Sequence, residues 1–131
     1  MASNPEGTEL PDVAAVEARA ASMSRAAVVS STSPKLTNGQ RRHLRGLGHH
    51  LRPVVQIGHH GLTEGLVTAL DKALETHELV KVKALETCPV DREVAALWLH
   101  EATGAAVVQV LGRTLLVYRA RPKDPTIRLP R

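Results

Sequence analysis

Aromatic side chains are almost missing from this chain. Its 131 residues include no phenylalanine, one tryptophan (Trp98) and one tyrosine (Tyr118). A hydrophobic core must therefore be built mainly from valine, leucine, isoleucine and alanine. RNA-recognition folds of the RRM type stack bases on exposed aromatic rings, so the composition argues against that mode of binding. If the chain binds nucleic acid, this composition favours recognition of phosphates and of shape over base stacking.

Cysteine and long apolar runs are also scarce. Cys88 is the single cysteine, which excludes an internal disulfide and a cysteine-built zinc site. This usage fits a reducing compartment. No apolar run approaches membrane-spanning length, and the N-terminus lacks the charged and apolar regions of a signal peptide. These absences predict a soluble, cytoplasmic protein that does not act at a membrane.

Acidic residues are unevenly distributed along the chain. Residues 1–33 carry four acids and two bases, a net charge of −2, whereas residues 34–131 carry 15 bases and nine acids, a net charge of +6. No acid lies between Glu17 and Glu64. A basic domain of this kind favours polyanionic partners, although net charge alone is weak evidence.

The composition changes at Pro34. Residues 1–34 are rich in alanine, serine, glutamate and proline, and the stretch from Ala14 to Val29 has alanine enough for a transient helix. It shows no strong apolar stripe, so residues 1–34 are predicted to be a flexible N-terminal extension. Residues 35–131 are predicted to form the folded domain, which ends in a basic C-terminal tail.

Seven elements are predicted within this domain. A capping box of Thr37 and Gln40 begins the first helix and Pro53 ends it. Its apolar stripe is predicted to be Leu44, Leu47 and Leu51. Strands are predicted at 54–57, 79–85, 107–111 and 114–119, the last two joined by a Gly112-Arg113 turn.

Two further helices lie between the strands. One begins at Thr63, and the other runs from Asp91 to Gly104 and places Trp98 on its apolar face, in the core. Strand–helix–strand crossovers imply parallel pairs, and the final hairpin adds an antiparallel pair. The predicted fold class is therefore α/β (α+β), a compact α-β-α-β-α-β-β domain with a mixed four-stranded sheet packed by helices.

The stretch Gly58-His59-His60-Gly61 separates the first strand from the Thr63 helix. Glycines allow the backbone to approach a ligand closely, and helix N-terminal amides attract anions. The loop therefore suits a phosphate, although glycines at this spacing also occur in simple turns. Lys81 and Lys83 alternate with apolar residues on the next strand and share one face, which is either a solvated surface or a phosphate-binding one.

Several linked segments extend this interpretation: QRRHLRGL (40–47), LRPVV (51–55), GHHGLTEG (58–65), HELVKVK (77–83), EATGA (101–105) and VQVLGRTL (108–115). In these segments, and in its ending LPR, the chain resembles the CRM-domain family, named for chloroplast RNA splicing and ribosome maturation. The resemblance spans about residues 35–131 and is strongest to the stand-alone bacterial YhbY-type members.

The resemblance implies an RNA-binding domain similar in fold to the C-terminal domain of translation initiation factor 3. Bacterial members are associated with precursors of the large ribosomal subunit, and plant relatives with group II intron splicing. It implies binding to ribosomal RNA, with ribosomal proteins as further candidate partners. For the chain itself we expect a monomer and no cofactor. The predicted RNA-binding residues are Arg41, Arg42, Arg45, His49, Arg52, Gly58, His59, His60, Gly61, Lys81, Lys83, Arg113 and Arg119. The two loop histidines carry little charge at neutral pH, so phosphate binding there would depend on amides and nearby arginines.

Three other function classes compete with RNA binding. The pairs His49-His50 and His59-His60 could suggest metal ligands, but adjacent histidines diverge on a regular element and no nearby cysteine or carboxylate completes a set. Cys88 has no recognisable base and orienting partner, so an enzyme is not predicted. A protein-interaction module on the ribosome, without direct RNA specificity, stays open as the alternative.

Overall fold

Four strands form one mixed sheet in the structure, a computed structural model that describes residues 9–131. The strands are β1 (Pro53–Ile57), β2 (Leu79–Ala84), β3 (Ala106–Leu111) and β4 (Thr114–Tyr118). The helices are α1 (Val13–Ala20), α2 (Arg25–Thr32), α3 (Asn38–Gly48), α4 (Glu64–His77) and α5 (Arg92–Thr103). None of the helices in this described range is long and apolar enough to cross a membrane.

The strand order is β1-β2-β4-β3. β1 and β2 are parallel, and β4 runs antiparallel to both β2 and β3. The predicted α/β class and mixed four-stranded sheet are therefore confirmed. β2 and β3 are not neighbours in the sheet, although a helical crossover connects them. The hairpin turn at Gly112, which has φ of 58°, places β4 between them.

The larger core lies on the face of the sheet covered by α4 and α5. Inward-facing residues of β1 and β2, such as Ile57 and Val82, pack there with the leucines of α4. Trp98 of α5 is only 1% exposed, which confirms its predicted place in the core. Its indole Nε1 donates a hydrogen bond of 2.7 Å to the carbonyl oxygen of Pro11.

That bond shows that the N-terminal segment packs on the domain, which differs from the prediction of a flexible extension. Val16 of α1 and Val28 of α2 are fully buried in the larger core. At the end of α2, the Thr32 hydroxyl donates a hydrogen bond of 3.1 Å to the carbonyl oxygen of Val107 in β3. The expectation that residues 9–34 have no apolar side to dock is wrong, while residues 1–8 of the predicted extension lie outside the described residues.

The second face of the sheet is covered by α3 and by the C-terminal segment. Leu44 is buried here in a smaller cluster that also contains Leu79, Val108, Leu116 and Tyr118. The predicted capping box of Thr37 and Gln40 is present. The predicted stripe is only partly correct, because Leu47 and Leu51 are exposed and Gly48 faces the sheet in their place.

Gly46 and Gly48 form a matched pair in α3 for testing this packing. A Cβ at Gly48 would lie 2.7 Å from Cδ1 of the buried Leu116, whereas a Cβ at Gly46 would meet nothing within 4 Å. We expect Gly48→Ala to destabilise the domain by about 1–3 kcal/mol through overpacking. Gly46→Ala should stabilise it by up to about 1 kcal/mol through helix propensity. Urea unfolding of both variants measures the difference, and equal effects would contradict this placement of α3.

The C-terminal segment is anchored by the carboxylate of Glu78. This residue ends α4 with φ of 63° and is fully buried. Its oxygens accept hydrogen bonds from the backbone amides of Arg121, Thr126 and Ile127 at 2.8–2.9 Å, and from the Thr126 hydroxyl at 2.7 Å. Burial alone would raise the pKa of this carboxyl, but the hydrogen bonds lower it to about 2.

The low pKa of Glu78 makes the stability of the domain depend on pH. Because the folded-state pKa is below the ordinary value of 4.5, this contribution is complete above about pH 4.5 and is lost as the pH falls towards about 2. We expect Glu78→Gln to lower the free energy of unfolding by roughly 2–4 kcal/mol at pH 7, and the gap to wild type to close at low pH. Urea unfolding of both proteins along a pH series tests this, and a gap that stays constant down to pH about 2 would contradict it.

Candidate nucleic-acid interface

The glycine loop forms a tight turn between β1 and α4. The Gly61 amide donates a hydrogen bond of 3.0 Å to the carbonyl oxygen of Gly58, and Gly61 has φ of 71°. A Cβ at Gly61 would lie 3.0 Å from Cγ of Pro89, so the position needs glycine for both conformation and space. The side chains of His59 and His60 are exposed, with ring centroids 4.0 Å apart.

The N-terminus of α4 opens beside this loop. The Thr63 hydroxyl accepts a hydrogen bond of 3.1 Å from the amide of Leu66, which confirms Thr63 as the N-cap. Within the described part of the chain, the amides of Glu64 and Gly65 have no hydrogen-bond partner. They can therefore bind an anion. The Glu64 carboxylate lies in the same turn, so a phosphate here would also need cations from neighbouring elements.

A groove of about 370 Å³ joins the loop to the exposed edge of β1. β1 is an outer strand of the sheet, and among residues 9–131 it pairs only with β2, which leaves its other edge open in this part of the chain. The floor and walls of the groove come from β1, the glycine loop and the first turns of α4, including Val54, Gln56, Thr63 and Ala69. A nucleic-acid backbone lying in this groove would pass within reach of the loop amides.

A cationic hollow lies on the second face of the sheet, at the other end of β1. Arg45 and His49 of α3 and Lys81 of β2 line this space of about 230 Å³ together with Pro53, Gln109, Leu111, Thr114 and Leu116. No acidic residue lines it, and no ion pair within residues 9–131 neutralises Arg45 or Lys81. The fold thus brings Lys81 of β2 together with Arg45 and His49, two predicted contact residues that precede it by more than 30 positions in the sequence.

Lys83 connects the hollow with the loop groove. It is exposed and pairs in register with Gln56 of β1, which itself lines the groove. Lys81, two residues earlier on the same face, is about 7 Å away along the strand. The loop, Lys83 and the hollow therefore form one surface along β1, which we call the β1 surface.

The residues of this surface lie within a recognised domain. The sequence pattern of the CRS1/YhbY (CRM) domain matches residues 36–119. The chain belongs to the CRM-domain family. The match includes α3, the glycine loop and the whole sheet, and it begins after α1 and α2, which are additions to the CRM domain in this protein.

Curated relatives support this assignment over nearly their whole length. An "RNA-binding protein" of Haemophilus influenzae is 42% identical over 99 residues, which cover 73% of this chain and 96% of the relative. The "Probable RNA-binding protein YqeI" of Bacillus subtilis is 35% identical over 95 residues, covering 72% of this chain and 99% of the relative.

A solved structure shows the same CRM fold. It is the solution structure of a hypothetical protein from Staphylococcus aureus, described as a candidate RNA-binding protein. It is 39% identical to this chain, with a TM-score of 0.63, and the match covers 72% of this chain and 99% of that protein.

Two residues predicted to contact RNA already have partners within the folded chain. Arg41 donates hydrogen bonds to the carbonyl and hydroxyl oxygens of Ser33 and to Asn38, at 2.7–2.8 Å, and so holds the connection between α2 and α3. Arg119 pairs with Asp71 at 2.8 Å and donates to the carbonyl oxygen of Thr103. Because both guanidinium groups already bind partners within the fold, we place neither residue on the β1 surface.

Three other predicted arginines are dispersed. Arg42 is exposed on α3 outside the residues that line the hollow. Arg113 projects from the β3–β4 turn, 3.8 Å from the carboxylate of Glu86. Arg52 lines a separate apolar groove near the start of β1. The exposed groove beside Arg52 was not predicted from the sequence, because its leucines, Leu47 and Leu51, have the helical spacing of a buried apolar stripe.

The structure also bears on the competing function classes. Among residues 9–131, no group of three or more histidine, cysteine, aspartate or glutamate side chains is arranged to hold a metal ion. The Cys88 thiol lies 3.5 Å from the carbonyl oxygen of Val90, in the connection that contacts Gly61.

Proposed function

We propose that this protein binds RNA through the β1 surface, by contacts to the phosphate backbone and without catalysing a reaction. The observation that carries the proposal is the unneutralised hollow of Arg45, His49 and Lys81, which lies next to the glycine loop on one side of a CRM domain. The names of the curated relatives, which describe RNA-binding proteins, support it. Backbone recognition also agrees with the burial of Trp98 and Tyr118, which leaves no tryptophan or tyrosine ring exposed among residues 9–131.

We propose that the bound RNA is ribosomal RNA in precursors of the large subunit. We also propose that the protein assists ribosome assembly in the cytoplasm. This step is based on the resemblance to YhbY-type proteins. Structured ribosomal RNA presents many closely spaced phosphates, which suits a cationic surface of this shape. Crosslinking in cells followed by sequencing of the attached RNA tests it. Reads spread evenly over cellular RNA would contradict a ribosomal target.

The contribution of the hollow can be measured from the salt dependence of binding. Arg45→Gln and Lys81→Gln should each weaken RNA binding and reduce the slope of log affinity against log salt by roughly 0.9 or less. Lys72→Gln is the matched control, because Lys72 is an exposed base on α4 outside the β1 surface. An unchanged slope in both hollow variants would remove the hollow from the interface.

The same measurement separates RNA binding from the alternative, a protein-interaction module on the ribosome. A module of that kind would associate with ribosomal particles but would not bind isolated ribosomal RNA with a steep salt dependence. Weak binding of RNA by the wild type, insensitive to salt, would therefore favour the alternative.

A further inference from the structure

An apolar groove lies beside the β1 surface and has no role in the proposal so far. Leu47, Leu51 and Val54 are large apolar residues exposed to solvent by 43%, 38% and 57%, and all three line it. The groove measures about 430 Å³, and its remaining lining comes from Arg52, His77, Leu79, Val80, Lys81 and Ile127. This volume is within the range of small-molecule pockets, about 300–1,000 Å³.

The groove is built by the fold rather than left open by a flexible end. Leu79 belongs to the smaller core, and Ile127 packs against that core from the C-terminal segment. The amide of Ile127 is held at 2.9 Å by the buried Glu78 carboxylate, so this wall of the groove has a fixed position. Exposed leucine and valine side chains on a rigid wall suit a flat apolar ligand.

The charges around the groove select the kind of ligand. Arg52 and Lys81 line it, and none of the residues within 9–131 that line it is acidic. Lys81 also lines the cationic hollow, and Val54 also lines the loop groove, so the apolar groove is continuous with both parts of the β1 surface. A ligand with an apolar planar part and a neighbouring negative charge satisfies both features.

We propose that this groove holds an unpaired nucleobase of the RNA whose backbone crosses the β1 surface. The aliphatic side chains contact the base, and Arg52 and Lys81 contact the adjoining phosphates. β1 has five residues and spans about 13 Å, so the groove and the glycine loop are separated by a few nucleotides of one strand. The inference rests on the proposed function, and it specifies RNA that contains unpaired nucleotides.

Removing the bases from the RNA tests this inference directly. The two probes are a single-stranded RNA of about ten nucleotides and a strand of equal length whose riboses carry no bases. We expect the wild type to bind the complete strand about five- to tenfold more tightly at equal salt, because each base contact adds affinity while the backbone charge is the same. In Leu51→Ser and Val54→Ser that preference should fall towards onefold, with the salt slope unchanged.

Leu10→Ser is the control variant, because Leu10 has the same 38% exposure as Leu51 and lies before α1. It should keep the full preference for the complete strand. If Leu51→Ser and Val54→Ser keep that preference too, the groove inference is wrong and a protein segment becomes the better occupant. The proposed function would then still stand if Arg45→Gln weakened binding to both strands. If the wild type bound neither strand nor isolated ribosomal RNA, both proposals would fail.

Discussion

Deleting residues 1–33 should lower the free energy of unfolding of this protein by about 3–6 kcal/mol. The estimate comes from two fully buried valines, Val16 and Val28, each worth about 1.5–3 kcal/mol when it is removed from water. The deletion also leaves the indole Nε1 of Trp98 without its acceptor at Pro11. Urea unfolding of the full chain and of the shortened chain measures the loss.

Point variants distinguish the loss of these buried side chains from a general effect of shortening the chain. Val16→Ala and Val28→Ala should each destabilise the full chain by about 1–3 kcal/mol, because each leaves a cavity in the core. Ala14→Ser is the control, since Ala14 is exposed on α1. A shortened chain as stable as the full one would restore the sequence-based expectation that the N-terminal segment does not contribute to the fold.

The sequence predicted only a transient helix between Ala14 and Val29, and the two docked helices were missed because the sequence signal for each is short. α1 and α2 have eight residues each, and only Val16 with Ala20, and Val28 with Thr32, are buried. Two buried residues do not establish a helical period. The caps are better signals, since Asp12 and Ser24 each accept a hydrogen bond from the amide three residues later. Both residues precede alanine-rich stretches and could have indicated helix starts.

The elements of the CRM domain were predictable because their signals are local. Thr37, Thr63 and Gly104 are caps or stops, and the structure confirms each of them. The inward packing of α3 was less predictable, because it depends on which side meets the sheet. Gly48 lies against Leu116, and this close approach turns Leu47 away from the core. Sequence spacing alone does not distinguish these two orientations.

In the candidate site too, the part formed by neighbouring residues was predictable, and the part formed by residues distant in sequence was not. The glycine loop follows from residues 58–61 alone, whereas the hollow requires α3 to lie across β2, which brings Arg45 beside Lys81. The tether from Glu78 to residues 121–127 joins segments more than 40 residues apart, and the sequence gives no signal for it. The sequence identifies the basic residues. It does not show that the guanidinium groups of Arg41 and Arg119 are engaged in contacts within the fold.

Gly58→Asp should weaken RNA binding at least about tenfold, equivalent to about 1.4 kcal/mol, without unfolding the domain. A Cβ at Gly58 would meet nothing within 4 Å, so the new side chain has room. Its carboxylate would stand in the loop groove, where it would repel a phosphate of the RNA backbone that we propose crosses the β1 surface. Gly58 is a better position for this test than Gly61, whose positive φ and contact with Pro89 would strain any substitution.

Gly58→Asn is the matched control, because asparagine has nearly the same shape as aspartate but carries no charge. We expect Gly58→Asn to bind RNA within about threefold of wild type. Both variants should unfold within about 0.5 kcal/mol of wild type, because a side chain at this half-buried position has room. The gap between the two variants should narrow as salt is added, because the repulsion is electrostatic. Suppose instead that both variants bind like wild type at low salt. The glycines would then serve only the turn, and RNA contacts would have to come from the hollow and from Lys83 without the loop.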